Sequence, residues 1–264
     1  MIDNDLAVRL SALPPMPPLD AATLTQIRPY AAPPPPPNVN RQEVTIPGSI
    51  PLAILRPSAP VPSAPVATAP APTAPAALAP ATPTPAAPCV YWIHGGGMVM
   101  GNRYSQIDIP LEWLTEFGAV VVSVDYRLAP EAHGSEPVDD CYRGLTWVAE
   151  HADELGIDPA RLVVAGASAG GGLAAGVTLM ARDRGGPAIA AQVLIGPMLD
   201  HRTRSDETFE VWTPEMNAFA WRSLLGDSEP TPYVSPARAA DLSGLPPTYV
   251  DAGSAELFRD EAAE

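Results

Sequence analysis

The sequence predicts a single α/β domain, built on a mostly parallel β-sheet with helices on both faces. Short apolar runs alternate with helical stretches over most of the chain beyond residue 88, and the runs are apolar throughout. Such runs are typical of parallel strands buried on both faces. A length of 264 residues, 46% of them hydrophobic, is enough for one full core. We expect that core in residues 41–264, with residues 1–40 as an N-terminal lid or arm.

The first third of the chain is rich in proline. Two short helical patterns, Leu6–Leu13 and Ala21–Ile27, are broken and closed by prolines, which is typical of an arm. Val44–Ile46 and Leu52–Leu55, separated by a Pro-Gly turn, predict a pair of strands. Residues 57–88 contain eleven prolines and twelve alanines, with no glycine and no charge. We interpret this stretch as a disordered insertion, because it cannot bury enough surface to fold, and a docking site for a proline-recognising domain is the alternative.

The rest of the chain predicts alternating strands and helices. The strands are expected at Cys89–Ile93, Ala119–Val124, Leu162–Ala165, Ala191–Ile195 and Thr248–Asp251, which are largely apolar. The helices are expected at Gln106–Phe117, at Pro137–Leu155, and from Ser168 to about Arg184. Residues 199–233 break the alternation with charged and aromatic residues, so we expect a second lid segment there. Ligands of such sheets bind beyond the carboxyl ends of the strands.

Composition argues against several functions. Acidic residues outnumber basic ones by 30 to 15, and the net charge of −15 repels nucleic acid and anionic membranes. The two cysteines, Cys89 and Cys141, fall at predicted buried positions, which favours a reducing compartment over a disulfide framework. The first residues, Met1–Asp5, are acidic and lack the basic start and apolar core of a signal peptide, and no apolar run approaches membrane-spanning length, so we expect neither feature. We expect a cytoplasmic protein without metal or cofactor, and its oligomeric state, a homodimer included, stays open.

Two glycine-rich motifs indicate the chemistry. Gly166–Gly170 has the pattern G-x-S-x-G, which after an apolar strand places Ser168 on a tight strand-to-helix turn. His94 and the three glycines after it also follow a strand, and bare glycine N–H groups can approach a developing negative charge. Together they predict a serine nucleophile with an oxyanion hole formed by the N–H groups of Gly95, Gly96, Gly97 and Ala169. The alternatives are a small-residue packing turn and, more weakly, a phosphate-binding loop.

A serine nucleophile of this kind needs an acid and a histidine. In enzymes with this turn, the acid follows the serine and the histidine follows the acid. Glu256 is our candidate for the acid and Asp260 is the second choice, each against the alternative of a charged residue at a helix start.

None of the four histidines is in the expected place. His94 is expected to hold the glycine loop by hydrogen bonding, His133 lies in a loop, and His151 is expected to be a solvated residue on a polar helix face. His201 is the one histidine that follows Ser168, but it precedes the candidate acid. The catalytic histidine is therefore expected to be missing, and His201, which follows a strand end and could approach the edge of the site, is the weaker alternative for the base.

These residues resemble the hormone-sensitive-lipase-like family of α/β-hydrolases, which includes many microbial carboxylesterases. The resemblance covers about residue 44 to the C-terminus apart from the insertion, and its motifs are His94–Gly97, Asp125–Glu131, Gly166–Gly171, Pro197–Asp200 and Leu257–Glu261. It implies the α/β-hydrolase fold with a helical lid, and hydrolysis of short- to medium-chain acyl esters. It also implies that Glu256 is the catalytic acid.

The sequence departs from that family in three places. The insertion at 57–88 lengthens a short loop, and Ala132–Glu136 replaces a stretch with aromatic residues and proline. The family's last strand, last helix and catalytic histidine are expected some tens of residues beyond Glu256, but the sequence ends at Glu264. We therefore expect a chain that lacks them, with little or no turnover. The other hypotheses are a protein that binds a small ligand without cleaving it, and a scaffold tethered through residues 57–88.

Overall fold

The computed structural model describes residues 18–28, 35–36, 39–58, 86–205, 207 and 211–264. Its strands are β1 (Val39–Ile46), β2 (Ile50–Pro57), β3 (Ala87–Ile93), β4 (Val120–Val124), β5 (Ile157–Ala167), β6 (Ala191–Ile195) and β7 (Thr248–Asp251). Its α-helices are α1 (Ala21–Ile27), α2 (Asp108–Phe117), α3 (Glu136–Glu150), α4 (Ala152–Leu155), α5 (Ala169–Arg184), α6 (Pro214–Leu225) and α7 (Arg259–Ala263). The predicted helix Leu6–Leu13 and residues 59–85 of the predicted insertion lie outside the described residues.

One sheet of seven strands organises the described residues, in the order β1-β2-β4-β3-β5-β6-β7. The pairs β1–β2 and β2–β4 are antiparallel, and the other four neighbouring pairs are parallel. Ile93 at the end of β3 lies opposite Val124 of β4 and Gly166 of β5, and Ala167 lies opposite Ile195 of β6. The carboxyl ends of the central strands therefore meet at one edge of the sheet, and the predicted α/β fold is confirmed.

Successive side chains of the central strands pack on opposite faces of the sheet. In β3, Tyr91 and Ile93 belong to the larger core cluster with residues of α1 and α3 to α6. Trp92 belongs to a smaller cluster with residues of α2. Helices thus cover both faces, as predicted, although unevenly. Edge strand β7 differs from the others, since all four of its residues are exposed, Tyr249 by 61% and Val250 by 40%.

Several boundaries differ from those predicted. The strand β2 runs to Pro57 and β3 begins at Ala87, so the strands take in both ends of the segment assigned to the insertion. Strand β5 begins at Ile157 because this residue pairs with Ala87. Helix α2 begins at Asp108, two residues later than predicted.

The predicted helix Pro137–Leu155 is two helices, which meet at His151. The backbone of His151 leaves the helical region, at φ −106° and ψ 22°. Its ring stacks on Trp147 with the ring centroids 4.2 Å apart, and its Nδ1 lies 2.9 Å from the Trp147 carbonyl oxygen. His151 is half-buried, so the prediction of a solvated residue was wrong.

Two predictions from composition can be compared with the structure. Cys89 and Cys141 are both buried and unpaired, as predicted. Burial raises the pKa of the Cys89 thiol to about 12, so this thiol stays protonated at neutral pH. Among the helices of the described ranges, none combines the length and the apolar character that crossing a bilayer requires.

Candidate active site

Ser168 forms the turn between β5 and α5 in a strained backbone conformation, with φ 54° and ψ −121°. Non-glycine residues rarely adopt a positive φ, and such a residue persists only where its surroundings hold it. The Ser168 N–H donates to the carbonyl oxygen of Ile195 at 2.8 Å. The Ser168 carbonyl oxygen accepts hydrogen bonds from the N–H groups of Met198 at 3.0 Å and Gly172 at 3.1 Å. The serine is thus fixed at the carboxyl end of β5, where ligands of such sheets bind.

Glycines on either side of Ser168 let α5 approach the sheet closely. A Cβ on Gly170 would lie 2.0 Å from the carbonyl oxygen of Ile93, and one on Gly166 would lie 2.2 Å from the carbonyl oxygen of Gly170. Real Cβ atoms essentially never come this close to other atoms. Packing alone therefore requires both glycines, so the interpretation of this motif as a packing turn and its interpretation as a nucleophile turn are compatible.

The glycine loop after β3 lies next to this turn. A Cβ on Gly95 would lie 2.9 Å from the carbonyl oxygen of Ala167, the residue before Ser168. Gly96 and Gly97 have φ values of 108° and 60°, a region of backbone conformation that favours glycine. The loop therefore passes the Ser168 turn in a conformation that side chains would obstruct.

The N–H groups of this loop differ in their hydrogen bonding. Within the described residues, the N–H groups of Gly96, Gly97 and Ala169 have no acceptor. In contrast, the Gly95 N–H donates to the Oε1 of Gln106 at 2.8 Å. Three of the four N–H groups predicted for the oxyanion hole thus have no acceptor within the described residues. Gln106 was not identified from the sequence, because no local pattern connects it to the glycines.

His94 supports the loop from inside the protein. Its ring is fully buried and stacks on Tyr126, with the ring centroids 4.3 Å apart. Its Nδ1 lies 2.7 Å from the Gly95 carbonyl oxygen, and because a carbonyl can only accept, this nitrogen carries the proton. Burial lowers the pKa of His94 to about 4, so the ring is neutral at pH 7. The hydrogen bond agrees with the loop-holding role expected from the sequence.

The Glu256 carboxylate lies beside the end of β6. It accepts a hydrogen bond from the Gly253 N–H. A Cβ on Gly196 would lie 2.7 Å from its Oε2. Gly196 directly follows Ile195, whose carbonyl oxygen binds the Ser168 N–H. Glu256 and Ser168 therefore flank the end of the same strand.

Glu256 and Asp260 are in different environments. Burial raises the pKa of Glu256, and the nearby charge of Asp251 adds to the effect. Asp260 has a side chain that is 78% exposed and pairs with Arg259 at 2.7 Å, which lowers the pKa of Asp260. Among the described residues Glu256 is a half-buried carboxylate without an ion-pair partner, whereas Asp260 is solvated and already paired with Arg259, so the environment favours Glu256 as the acid.

No histidine ring forms a hydrogen bond with Ser168, although all four histidines lie within the described ranges. Those of His94 and His151 bond to nearby carbonyl oxygens, and His133 is exposed. The Nδ1 of His201 lies 3.1 Å from the hydroxyl oxygen of Ser235. Burial lowers the pKa of His201. A general base for Ser168 is thus absent from these contacts.

Residues of the predicted second lid segment lie on the glycine loop. A Cβ on Gly97 would lie 2.4 Å from the ring of Trp212 and 3.2 Å from the Cβ of Ala220 in α6. The indole N–H of Trp212 donates to the Oδ1 of Asn217 at 3.4 Å, which links the ring to the helix. A ligand bound at the glycine loop would therefore meet an aromatic wall.

A charged cavity of about 400 Å³ lies beside Glu256, and its lining includes Arg202, Arg259 and Glu261. Glu261 accepts hydrogen bonds from the N–H of Leu199 at 2.6 Å and from the Thr203 hydroxyl. Burial raises the pKa of Glu261 to about 7. Over the described part of the chain, no three His, Cys, Asp or Glu side chains form a group that could bind a metal ion.

Comparisons with known proteins identify relatives of this chain. The profile of a sequence family described as having the alpha/beta hydrolase fold matches residues 90–264. Carboxylesterase NlhH of Mycobacterium tuberculosis is 36% identical over 190 residues, which cover 67% of this chain and 58% of the relative. Esterase LipI of the same organism is 37% identical over 182 residues, which cover 66% of this chain and 57% of the relative. The chain thus spans less than three fifths of the length of these curated relatives.

A solved structure matches a larger share of this chain than the two curated relatives do. The bacterial heroin esterase aligns with a TM-score of 0.81 and 34% sequence identity. The alignment covers 99% of this chain and 82% of that chain. At this similarity the two proteins share the architecture of the α/β core.

Proposed function

The chain belongs to the family of proteins with the alpha/beta hydrolase fold, and we propose that it forms the body of a serine carboxylesterase. The observation that supports this most is the strained turn at Ser168, next to three N–H groups without acceptors within the described residues. Esters are proposed as substrates because the relatives are named carboxylesterase and esterase. Short- to medium-chain acyl groups and a cytoplasmic location, both expected from the sequence, are part of the same proposal.

Ser168 Oγ is the proposed nucleophile. Its attack on the acyl carbonyl carbon forms a C–O bond and moves an electron pair to the carbonyl oxygen. The N–H groups of Gly96, Gly97 and Ala169 then donate to that oxyanion, and each such donor is typically worth about 10²–10³-fold in rate. Departure of the alcohol leaves an acyl-enzyme, which water hydrolyses by the same steps. The Gly95 N–H is assigned a structural role instead, because Gln106 already accepts its hydrogen bond.

Proton transfer is the step that this chain performs poorly. Oγ must lose a proton as it attacks, and the leaving alcohol must gain one. Glu256 is the acid proposed to orient an imidazole, but no histidine ring of the chain bonds to Ser168. We therefore propose that the 264-residue chain turns esters over slowly. An oxyanion hole without a complete triad leaves roughly 10³–10⁴-fold catalysis over water.

Labelling with a fluorophosphonate probe, with and without added imidazole, tests this assignment. The parent chain should be labelled slowly, Ser168→Ala should not be labelled, and imidazole should accelerate labelling of the parent with saturation. Glu256→Gln should lose most of the imidazole-dependent gain but keep the rate measured without imidazole. Asp260→Asn is the matched control and should keep the gain, because Asp260 is exposed and paired with Arg259.

Two results would count against the proposal. Equal labelling of the parent and Ser168→Ala would remove Ser168 as the nucleophile. Labelling of the parent at an ordinary esterase rate without imidazole would contradict the proposed lack of a base. A second candidate function, ligand binding without cleavage, is favoured by the same lack of a histidine partner. Saturable binding of a small carboxylic ester, with no labelling and no response to imidazole, would support it.

A further inference from the structure

Arg28 connects the N-terminal arm to the core. It follows α1, whose first turn is capped by Asp20 through hydrogen bonds from the N–H groups of Ala22 and Thr23. Leu24 of this helix is 97% buried in the larger core cluster. The helix is therefore anchored at both ends, by a cap on one side and by Arg28 on the other.

The guanidinium of Arg28 joins two loops that are distant in sequence. Its Nε donates to the Val99 carbonyl oxygen at 2.7 Å, and its Nη2 donates to the carbonyl oxygen of Ala129. Its Nη1 donates to the carboxylate of Glu131 at 2.7 Å. Only a planar group with several N–H donors in a fixed arrangement can make these three contacts together. The side chain is 24% exposed, so these bonds are partly shielded from water.

One of these loops holds the proposed oxyanion donors. The Gly96 carbonyl oxygen accepts hydrogen bonds from the N–H groups of Val99 at 3.1 Å and Met100 at 3.0 Å. The Ala129 N–H donates to the Met98 carbonyl oxygen at 2.9 Å, which ties the second loop to the same turn. Arg28 therefore binds a carbonyl group on each side of this tie: that of Val99, two residues beyond the proposed donor Gly97, and that of Ala129 in the second loop.

We propose that Arg28 is a positioning residue for the oxyanion hole. The proposal rests on the proposed function, because it assigns Arg28 the task of holding the turn that aims the Gly96 and Gly97 N–H groups. A displacement of about 1 Å at a reacting centre can cost on the order of 10²-fold in rate. An exposed ion pair such as Arg28–Glu131 contributes little to stability by itself. The two bonds to backbone carbonyl groups are what give Arg28 its effect on the loop.

The matched control is Arg161. Its guanidinium also bonds one carboxylate, that of Asp158 at 2.8 Å, and one backbone carbonyl oxygen, that of Ala86. It does so near the start of β3, at the opposite end of the sheet from Ser168. Arg161→Ala therefore removes a similar set of bonds far from the proposed site.

The test compares fluorophosphonate labelling of Ser168 in the parent, Arg28→Ala, Arg28→Lys and Arg161→Ala, with added imidazole. We expect Arg28→Ala to be labelled about 10-fold more slowly than the parent, or slower still. Arg28→Lys should be intermediate, because one ammonium cannot make all three contacts, and Arg161→Ala should match the parent. Methylguanidinium, at concentrations that leave the unfolding midpoint unchanged, should restore part of the rate in Arg28→Ala and none in Arg28→Lys. A purely structural role would not produce this rescue.

Hydrogen exchange of the peptides that cover residues 95–101 supplies a second readout. We expect faster exchange there in Arg28→Ala than in Arg161→Ala. If Arg28→Ala does not fold, Arg28→Lys takes its place in both measurements. Parent-like labelling of Arg28→Ala, with Ser168→Ala unlabelled, would overturn the role of Arg28 and leave the proposed function intact. If the parent is labelled no faster than Ser168→Ala, the proposed function is rejected instead. In that case hydrogen exchange still tests Arg28, and unchanged exchange of residues 95–101 in Arg28→Ala would reject its loop-holding role as well.

Discussion

Acidification should destabilise this protein through His94. The ring is fully buried, and burial lowers its pKa from the ordinary 6.5 to about 4. Because the pKa of the folded state is the lower one, the unfolded chain takes up the proton first as the pH falls. The contribution of the neutral His94 ring to the free energy of unfolding is therefore fully present above pH 6.5 and is lost as the pH falls towards 4. With these two pKa values the loss is about 2 kcal/mol at pH 5 and about 3 kcal/mol at pH 4.

The variant His94→Asn isolates this contribution. The side-chain amide of asparagine can keep a donor for the Gly95 carbonyl oxygen, but it does not titrate. Loss of the stacking on Tyr126 should lower stability equally at every pH. The assay is urea unfolding of both proteins at several pH values between 7.5 and 4. Acidic groups titrate in both proteins, so the difference between the two curves reports His94.

The stability of the parent should fall more steeply than that of His94→Asn, and the gap between the two should narrow by about 3 kcal/mol from pH 7.5 to pH 4. Parallel curves would refute the reasoning, since they would show that the ring takes up a proton as easily in the folded protein as in the unfolded chain. Steepening that begins only below pH 4 would also contradict it, because the contribution must develop between the two pKa values.

Three further results are expected. The change in the free energy of unfolding caused by Glu261→Gln should be about 3 kcal/mol more favourable at pH 8 than at pH 4.5, because burial raises the folded-state pKa of Glu261 from 4.5 to about 7 and the parent loses stability as the pH rises through that value; urea unfolding at both pH values measures it. Gly97→Ala should slow fluorophosphonate labelling about 10-fold by displacing Trp212, and Trp212→Ala in the same chain should restore part of the rate. Arg127→Ala should lower the free energy of unfolding by about 2–3 kcal/mol, because it removes the two guanidinium hydrogen bonds, of 2.7 and 2.8 Å, from the fully buried Asp140 carboxylate. Thermal unfolding measures this loss. Arg143→Ala is the control and should show no such loss, because its contact with Asp140 is 3.8 Å long.

The central strands were predictable because their signal is local. An apolar run such as Ala191–Ile195 identifies its strand by side chains alone, and the structure has the same bounds. Strand β5 begins five residues earlier than its apolar run, at Ile157, and its second to fifth residues are half-buried or exposed. These residues extend the strand through backbone pairing near Ala87, which side-chain patterns do not report.

The division between α3 and α4 shows a second limit. The apolar stripe of Pro137–Leu155 continues in phase past His151, since Val148, Ala152 and Leu155 are all buried. A periodic pattern therefore predicts one helix. The break depends on the backbone of one residue, whose ring stacks on Trp147 and bonds its carbonyl oxygen. Periodicity reports which face is buried, but it does not report a change of one residue's dihedral angles.

The glycine loop shows why a sequence motif can identify a candidate site without showing which of its N–H groups can act as donors. In the sequence the three glycines are equivalent, and each offers one N–H. In the structure the side chain of Gln106, eleven residues away, accepts the Gly95 N–H, whereas those of Gly96 and Gly97 have no acceptor among the residues that the structure describes. Arg28, 71 residues from Val99, holds the far side of the same turn. Two residues outside the motif, Gln106 and Arg28, thus hold the loop that carries the proposed N–H donors. Both are distant from the glycines in sequence, so the local pattern could not reveal their contribution.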